Sequence, residues 1–139
     1  MASLSGRFDY SQLQEFCNKL NANFSKQQCS EFVVNCTREI ADRFLQIVKQ
    51  RTPGGQLSAA WTTGEIEYNG VTCKINIVNN AVNDDGVPYA IYVEYGHRKR
   101  NGGWVTGHFM MTSTEDDLRE KIPLILQQRL EEKLREVFK

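Results

Sequence analysis

The strongest constraint in the chain is an apolar stripe that persists for about six helical turns. Between Ser25 and Gln50 the residues Cys29, Phe32, Val33, Cys36, Ile40, Phe44, Ile47 and Val48 recur at three- and four-residue steps. That spacing places side chains on one face of an α-helix. Ser25 is a good N-cap, and Lys49 and Arg51 put positive charge where the helix dipole favours it. Thr52-Pro53-Gly54-Gly55 then stops the helix, because proline lacks an amide hydrogen and clashes with the preceding turn. Such a helix must bury its stripe against other elements, so the rest of the chain has to supply a packing surface.

That surface is predicted to be a β region followed by a second long helix. Ile66 and Tyr68 alternate with Glu65 and Glu67, the period of a half-buried strand. Asn69-Gly70 is a strong hairpin signal, since both residues accept positive φ. The return strand places Val71, Cys73, Ile75 and Ile77 inward and Thr72, Lys74 and Asn76 outward. Asn79 to Gly86 reads as a polar loop, and Tyr89 to Tyr95 as a third strand with Ala90, Tyr92 and Glu94 on one face. His97 to Gly103 has no apolar periodicity and reads as an exposed, mobile loop. Leu118, Ile122, Ile125, Leu126, Leu130, Leu134, Val137 and Phe138 form a final helical stripe, in which Pro123 predicts a kink or a fresh start. A shorter stripe of Leu13, Phe16, Cys17 and Leu20 predicts a helix before Ser25.

The reading is therefore an α+β chain forming one domain over 1–139. Helices are expected over 9–20 and 25–50, and a central antiparallel sheet of three to four strands over 60–96, with its hairpin at Asn69-Gly70. A loop over 97–106 and a long kinked helix over 108–138 complete it.

Charge and cysteine content narrow the function. The 17 basic and 17 acidic residues cancel, whereas a protein that coats nucleic acid or an anionic membrane carries a basic excess. No run approaches the roughly 18 apolar residues of a membrane span, and MASLSGRFDY has no apolar signal core. Cys17, Cys29, Cys36 and Cys73 fall on apolar faces without a C-x-x-C pair, which predicts reduced, buried thiols in a reducing cytoplasm.

Catalysis finds little support. His97 and His108 are the only histidines, and every cysteine sits on a core face where a thiolate is disfavoured. No G-x-S-x-G, P-loop or H-E-x-x-H spacing occurs, and the short-spaced ligand pairs of structural zinc sites are missing. Glu115-Asp116-Asp117 reads as the first turn of the last helix, with Thr114 as a cap. Neither a cofactor nor a metal is expected.

The sharpest polar feature is Arg98-Lys99-Arg100, flanked by His97 and Trp104. It reads either as a solvated loop or as contact with a polyanion or an acidic neighbour, and Trp104 favours contact because Trp and Arg are enriched at interface hot spots. Glu94, beside Tyr92, reads either as an exposed residue or as a buried charge paired with Arg98 or another subunit.

Three landmarks, in this order, carry a family resemblance. A long helix ends in Thr52-Pro53 ahead of Leu57 and Trp61 (TPGGQLSAAW); an aromatic segment ends in Glu-Tyr-Gly (YAIYVEYGHRK); and a Gly-aromatic-Met segment opens the last helix (GHFMMTSTEDDL). Together they resemble the small neck and tail-completion proteins of long-tailed bacteriophages, the minor structural or head-tail joining proteins, over roughly Phe32 to Phe138. The family often has Pro-rich or Arg-rich residues before the final aromatic, where this chain has Gly102-Gly103-Trp104-Val105-Thr106.

The resemblance implies a non-enzymatic virion subunit, assembled in the bacterial host cytoplasm into a homo-oligomeric ring of about six or twelve copies. Its neighbours would be the connector or adaptor and the tail terminator or tail tube. Thr52-Pro53 and Trp61 would shape the helix-to-sheet junction, and Tyr92, Glu94, Tyr95 and Gly96 the signature strand end. The loop from Arg98 to Trp104 would reach a neighbour, or DNA in the lumen through non-specific phosphate attraction. The alternatives are a tail terminator of the same particle and a small nucleic-acid-binding protein using loop 97–103.

Overall fold

The structure, a computed structural model, describes residues 5–6, 25–70 and 72–137. The helix expected over 9–20, with Cys17, and the positions of Val71 and Phe138 lie outside the described residues. Within them the chain is α+β, as the sequence predicts. The helices are α1 (Lys26–Arg51), α2 (Gly55–Ala59), α3 (Ala90–Tyr95) and α4 (Met110–Val137). The strands are β1 (Ser5–Gly6), β2 (Trp61–Thr63), β3 (Glu67–Tyr68), β4 (Cys73–Lys74), β5 (Ile77–Asn79), β6 (Gly96–Arg98) and β7 (Trp104–Thr106).

Helix α1 matches its prediction closely. The Ser25 hydroxyl accepts from the Gln28 amide at 3.1 Å, and the Gln28 side chain accepts from the Ser25 amide at 2.9 Å, which satisfies two helix-end donors reciprocally. Cys29, Val33, Cys36, Ile40, Ala41, Phe44 and Val48 are all buried. Burial raises the Cys36 thiol to about 12, with the Glu39 charge adding to the effect. Cys29, Cys36 and Cys73 are free, buried thiols.

The end of α1 is tied to the sheet by a polar relay. The Thr52 hydroxyl donates to the Val48 carbonyl and accepts from the Trp61 indole nitrogen at 2.8 Å. Asn79, buried beside it, donates from Nδ2 to the Leu57 carbonyl and accepts from the Ala81 amide, both at 2.9 Å. Chain reversal, short helix and first strand are thus locked by groups that would be costly to leave unpaired in the core.

The expected single sheet is instead three small antiparallel ones, in the orders β1-β5-β2, β3-β4 and β6-β7. The return strand after Asn69-Gly70 keeps its inward alternation, with Cys73, Ile75 and Ile77 buried. It divides after Lys74, however, so that β4 pairs with β3 while β5 pairs with β1 and β2. The hairpin at Asn69-Gly70 is present, though wider than the two-residue turn the dipeptide suggests. Tyr68 faces Cys73 across it, and of the two turn residues only Gly70 has positive φ. The Asn69 side chain accepts from the Thr72 amide at 2.7 Å, which explains how asparagine serves the turn without leaving ordinary backbone space.

Two predicted segments are corrected. Tyr89 to Tyr95, expected as a strand, contains helix α3, and the expected loop over 97–106 is largely the β6-β7 hairpin. Helix α4 begins close to its expected start and runs through Pro123 as one helix. Because it starts at Met110, Glu115-Asp116-Asp117 lies beyond its first turn. Thr114 is buried and donates to the Met110 carbonyl at 2.6 Å rather than capping.

Helices α1 and α4 lie antiparallel. The core beneath them joins Val33, Cys36 and Ile40 to Cys73 and Ile125, and a second cluster joins Phe44, Val48 and Trp61 to Met110, Met111 and Leu118. At one end Arg51 pairs with Asp117. Further along, the Arg129 guanidinium grips Glu39 with Nε and Nη2 at 2.8 and 2.6 Å. Arg129 holds the Glu39 carboxyl below the usual carboxylate range, and Arg51 does the same to Asp117.

Two outcomes follow for stability. A depressed carboxyl pKa contributes stability above the ordinary carboxylate range and loses it as pH falls through the depressed value. The midpoint of thermal unfolding of the wild type should therefore fall on acidification, and Glu39→Gln should flatten that dependence. Trp61→Phe, which removes the bond to Thr52 and leaves a void, should cost about 1–3 kcal/mol in denaturant unfolding.

Candidate functional site: an aromatic and basic hairpin

The segment from Tyr89 to Met111 folds around one buried carboxylate. Helix α3 follows Pro88 and places Ala90 and Glu94 inward, four residues apart, with Tyr92 and Tyr95 outward. This i, i+4 pattern replaces the alternation expected of a strand. Glu94 is fully buried. Its Oε2 accepts from the Met111 amide, and its Oε1 from the Thr112 amide and hydroxyl, all at 2.8 Å. These amides belong to the first turn of α4, where backbone N–H groups lack helical partners and the dipole favours an anion. A residue distant in sequence therefore caps α4. The proposed partner Arg98 takes no part, because it is exposed on β6.

The backbone closes around this carboxylate. The His108 amide donates to the Val93 carbonyl at 2.8 Å, and the Phe109 amide to the Glu94 carbonyl at 3.0 Å. Phe109 has a φ of 50°, a left-handed value unusual for an aromatic residue, immediately before the helix begins. Gly96 and Gly107 allow the approach. A Cβ on Gly96 would sit 2.3 Å from the Val105 carbonyl oxygen, and one on Gly107 would sit 2.3 Å from that of Glu94. Both positions must lack a side chain.

From this root the β6-β7 hairpin projects, pairing Gly96 with Thr106, His97 with Val105 and Arg98 with Trp104. The Gly102 amide donates to the Lys99 carbonyl at 3.1 Å, the Lys99 amide to the Gly103 carbonyl at 2.6 Å, and Gly102 takes a φ of 90°. This is a three-residue hairpin turn whose last residue is left-handed. The segment is thus an ordered projection, with Arg98, Lys99 and Arg100 exposed at its tip. None of the three forms a salt bridge among the described residues.

Around the root lies an exposed aromatic group. Trp104 is 62% exposed, Tyr92 and Tyr95 51% each, and Phe109 44%. Tyr92 meets His97 edge-on at 6.4 Å, and Tyr95 meets Phe109 edge-on at 6.3 Å. Of the residues singled out from sequence, Tyr92, His97, Arg98, Lys99, Arg100 and Trp104 are therefore gathered on one exposed projection, and Glu94 lies beneath it. Tyr95 and Phe109 were missed as surface aromatics. Their signal was the i, i+3 spacing of Tyr92 and Tyr95, readable only once α3 is helical. His108 is exposed, and no group of three or more His, Cys, Asp or Glu side chains able to hold a metal occurs among the described residues. No helix among them is long and apolar enough to cross a membrane.

Glu94→Gln replaces one acceptor oxygen with a donor group and leaves an α4 amide facing it. It should destabilise the fold by about 1–3 kcal/mol and speed hydrogen exchange at Met111 and Thr112. Gly107→Ala should cost about 3 kcal/mol or more, because backbone must move to admit the methyl group.

The comparisons with known proteins reach the first part of this segment and stop where the hairpin begins. A family model described as "Bacteriophage HK97-gp10, putative tail-component" matches residues 14–96, more than half of the 139-residue chain. The matched region takes in α1, the Thr52-Trp61 junction and α3, and ends at Gly96, the first residue of the hairpin. No curated protein and no solved structure matches the chain. Two of the three sequence landmarks lie within the matched residues and the third, Gly107 to Leu118, lies beyond them; the chain belongs to the HK97-gp10-like family of bacteriophage tail components.

Proposed function

We propose that the chain is a ring-forming structural subunit at the neck or tail top of a phage or prophage-derived particle, joining the head connector to the tail. Membership of a tail-component family supports a structural virion role. The observation that carries the finer reading is the hairpin with its exposed aromatics, Tyr92, Tyr95, Trp104 and Phe109, beside three basic residues that form no salt bridge among the described residues. Contiguous exposed aromatic surface rimmed by charge marks an interaction site rather than ordinary solvent-facing protein. The three-stranded sheet adds a second invitation, since β1 and β2 lie at its edges and each pairs only with β5 among the described residues. A projection on one side and a receptive surface on another make a heterologous contact, which closes into a ring when the rotation permits. The neighbours along the axis are then the connector or adaptor on one side and the tail terminator or tail tube on the other.

Electron microscopy and native mass spectrometry of the purified protein test this. Closed rings are expected, with the same chain located at the head-tail joint of the particle. Trp104→Ala should raise the concentration at which rings dissociate by about tenfold or more while leaving thermal unfolding unchanged, as an exposed hot-spot aromatic would. A protein that stays monomeric at every concentration and is missing from that joint overturns the reading.

A further inference from the structure

A groove of about 680 Å³ opens between α1 and the β2-β3 segment, lined by none of the hairpin's residues. Its apolar lining is Val34, Ile66, Tyr68 and Ile75, and its polar rim carries Asp42, Glu65 and Arg38. Asp42 and Glu65 form no salt bridge among the described residues, nor does Arg38. The rim therefore carries a net negative charge, and the floor offers half-buried aliphatic and aromatic surface. The hairpin presents the complement: three positive charges without a salt bridge among the described residues, and Trp104, 62% exposed.

We infer that the groove is the receptor for the β6-β7 hairpin of the adjacent copy, with Arg98, Lys99 and Arg100 facing Asp42 and Glu65 and with Trp104 over Ile66 and Tyr68. The occupant is a second copy of this chain, and the inference rests on the ring-forming role proposed above. Its support is complementarity in charge and in apolar surface. The groove offers Val34, Ile66, Tyr68 and Ile75 beside two acids, and the hairpin carries three basic residues and an exposed Trp104. Opposed charges across such a contact set register and partner choice, and juxtaposed like charges are strongly repelled. Hairpin and groove are different surfaces, so each copy gives one and receives one, the arrangement a closed ring requires.

Charge reversal on the full-length protein tests it, with assembly read by native mass spectrometry and folding by circular dichroism. Arg98→Glu, Lys99→Glu and Arg100→Glu together form a first variant, and Asp42→Lys with Glu65→Lys a second. All five positions are exposed, so both variants should fold as the wild type does. Each alone should lose rings. Mixed one to one they should regain them, because every hairpin then meets a groove of opposite sign, and the mixed rings should contain both variants alternately. Wild-type rings should loosen as salt is raised.

The inference is overturned if the wild type forms rings and either variant alone still does, or if the mixture fails to restore them. Should the hairpin variant keep its rings but lose a salt-sensitive gel shift of DNA shown by the wild type, the basic tip serves nucleic acid instead and docking is overturned. A wild type that forms no ring fails the underlying reading, a result distinguishable from all of these.

Discussion

The carboxylate of Glu94 accepts three hydrogen bonds from the first turn of α4, and the geometry of the C-terminal half descends from that contact. A fully buried carboxyl group is tolerable where fixed dipoles replace water, and amides without helical partners at a helix start provide them. Meeting that condition forces α3 to be a helix, so that Glu94 turns inward beside Ala90. It also draws Val93 and Glu94 carbonyls onto the His108 and Phe109 amides, and this closure makes glycine obligatory at positions 96 and 107. The hairpin is what remains between the two closed ends.

The two long helices were readable from residues alone. Helix α1 announces itself by its stripe, its Ser25 cap and its Thr52-Pro53 stop, and all three lie within a few residues of where local rules place them. The Asn69-Gly70 reversal was legible for the same reason: turn chemistry is local. The division of the return strand after Lys74 was not, because which of two partners a strand pairs with depends on chain distant in sequence.

The segment from Tyr89 to Thr106 was misread twice, for two different reasons. Tyr-Ala-Ile-Tyr-Val-Glu-Tyr alternates well enough to pass for a strand, and six residues are too few for helical periodicity to outvote it. What decided the matter was a tertiary demand, the acid required at the start of α4. The hairpin was a different kind of miss. Asn101-Gly102 is the same signal as Asn69-Gly70, but its short flanks, His97-Arg98 and Trp104-Val105, lack the alternating apolar residues that usually accompany it. The adjacent glycines and three cations suggested mobility where the chain needed only a left-handed corner. Tyr92, His97, Arg98, Lys99, Arg100 and Trp104 are exposed whichever backbone bears them, whereas Glu94, named beside them, is buried.

The closure at Gly96 and Gly107 has a mechanical consequence. Both strands of the projection enter it pinned, one to α3 and one to the start of a 28-residue helix. Close backbone contact at both glycines leaves no room for a side chain there, so the two ends of the projection are set by α3 and by the start of α4 and not by a free linker.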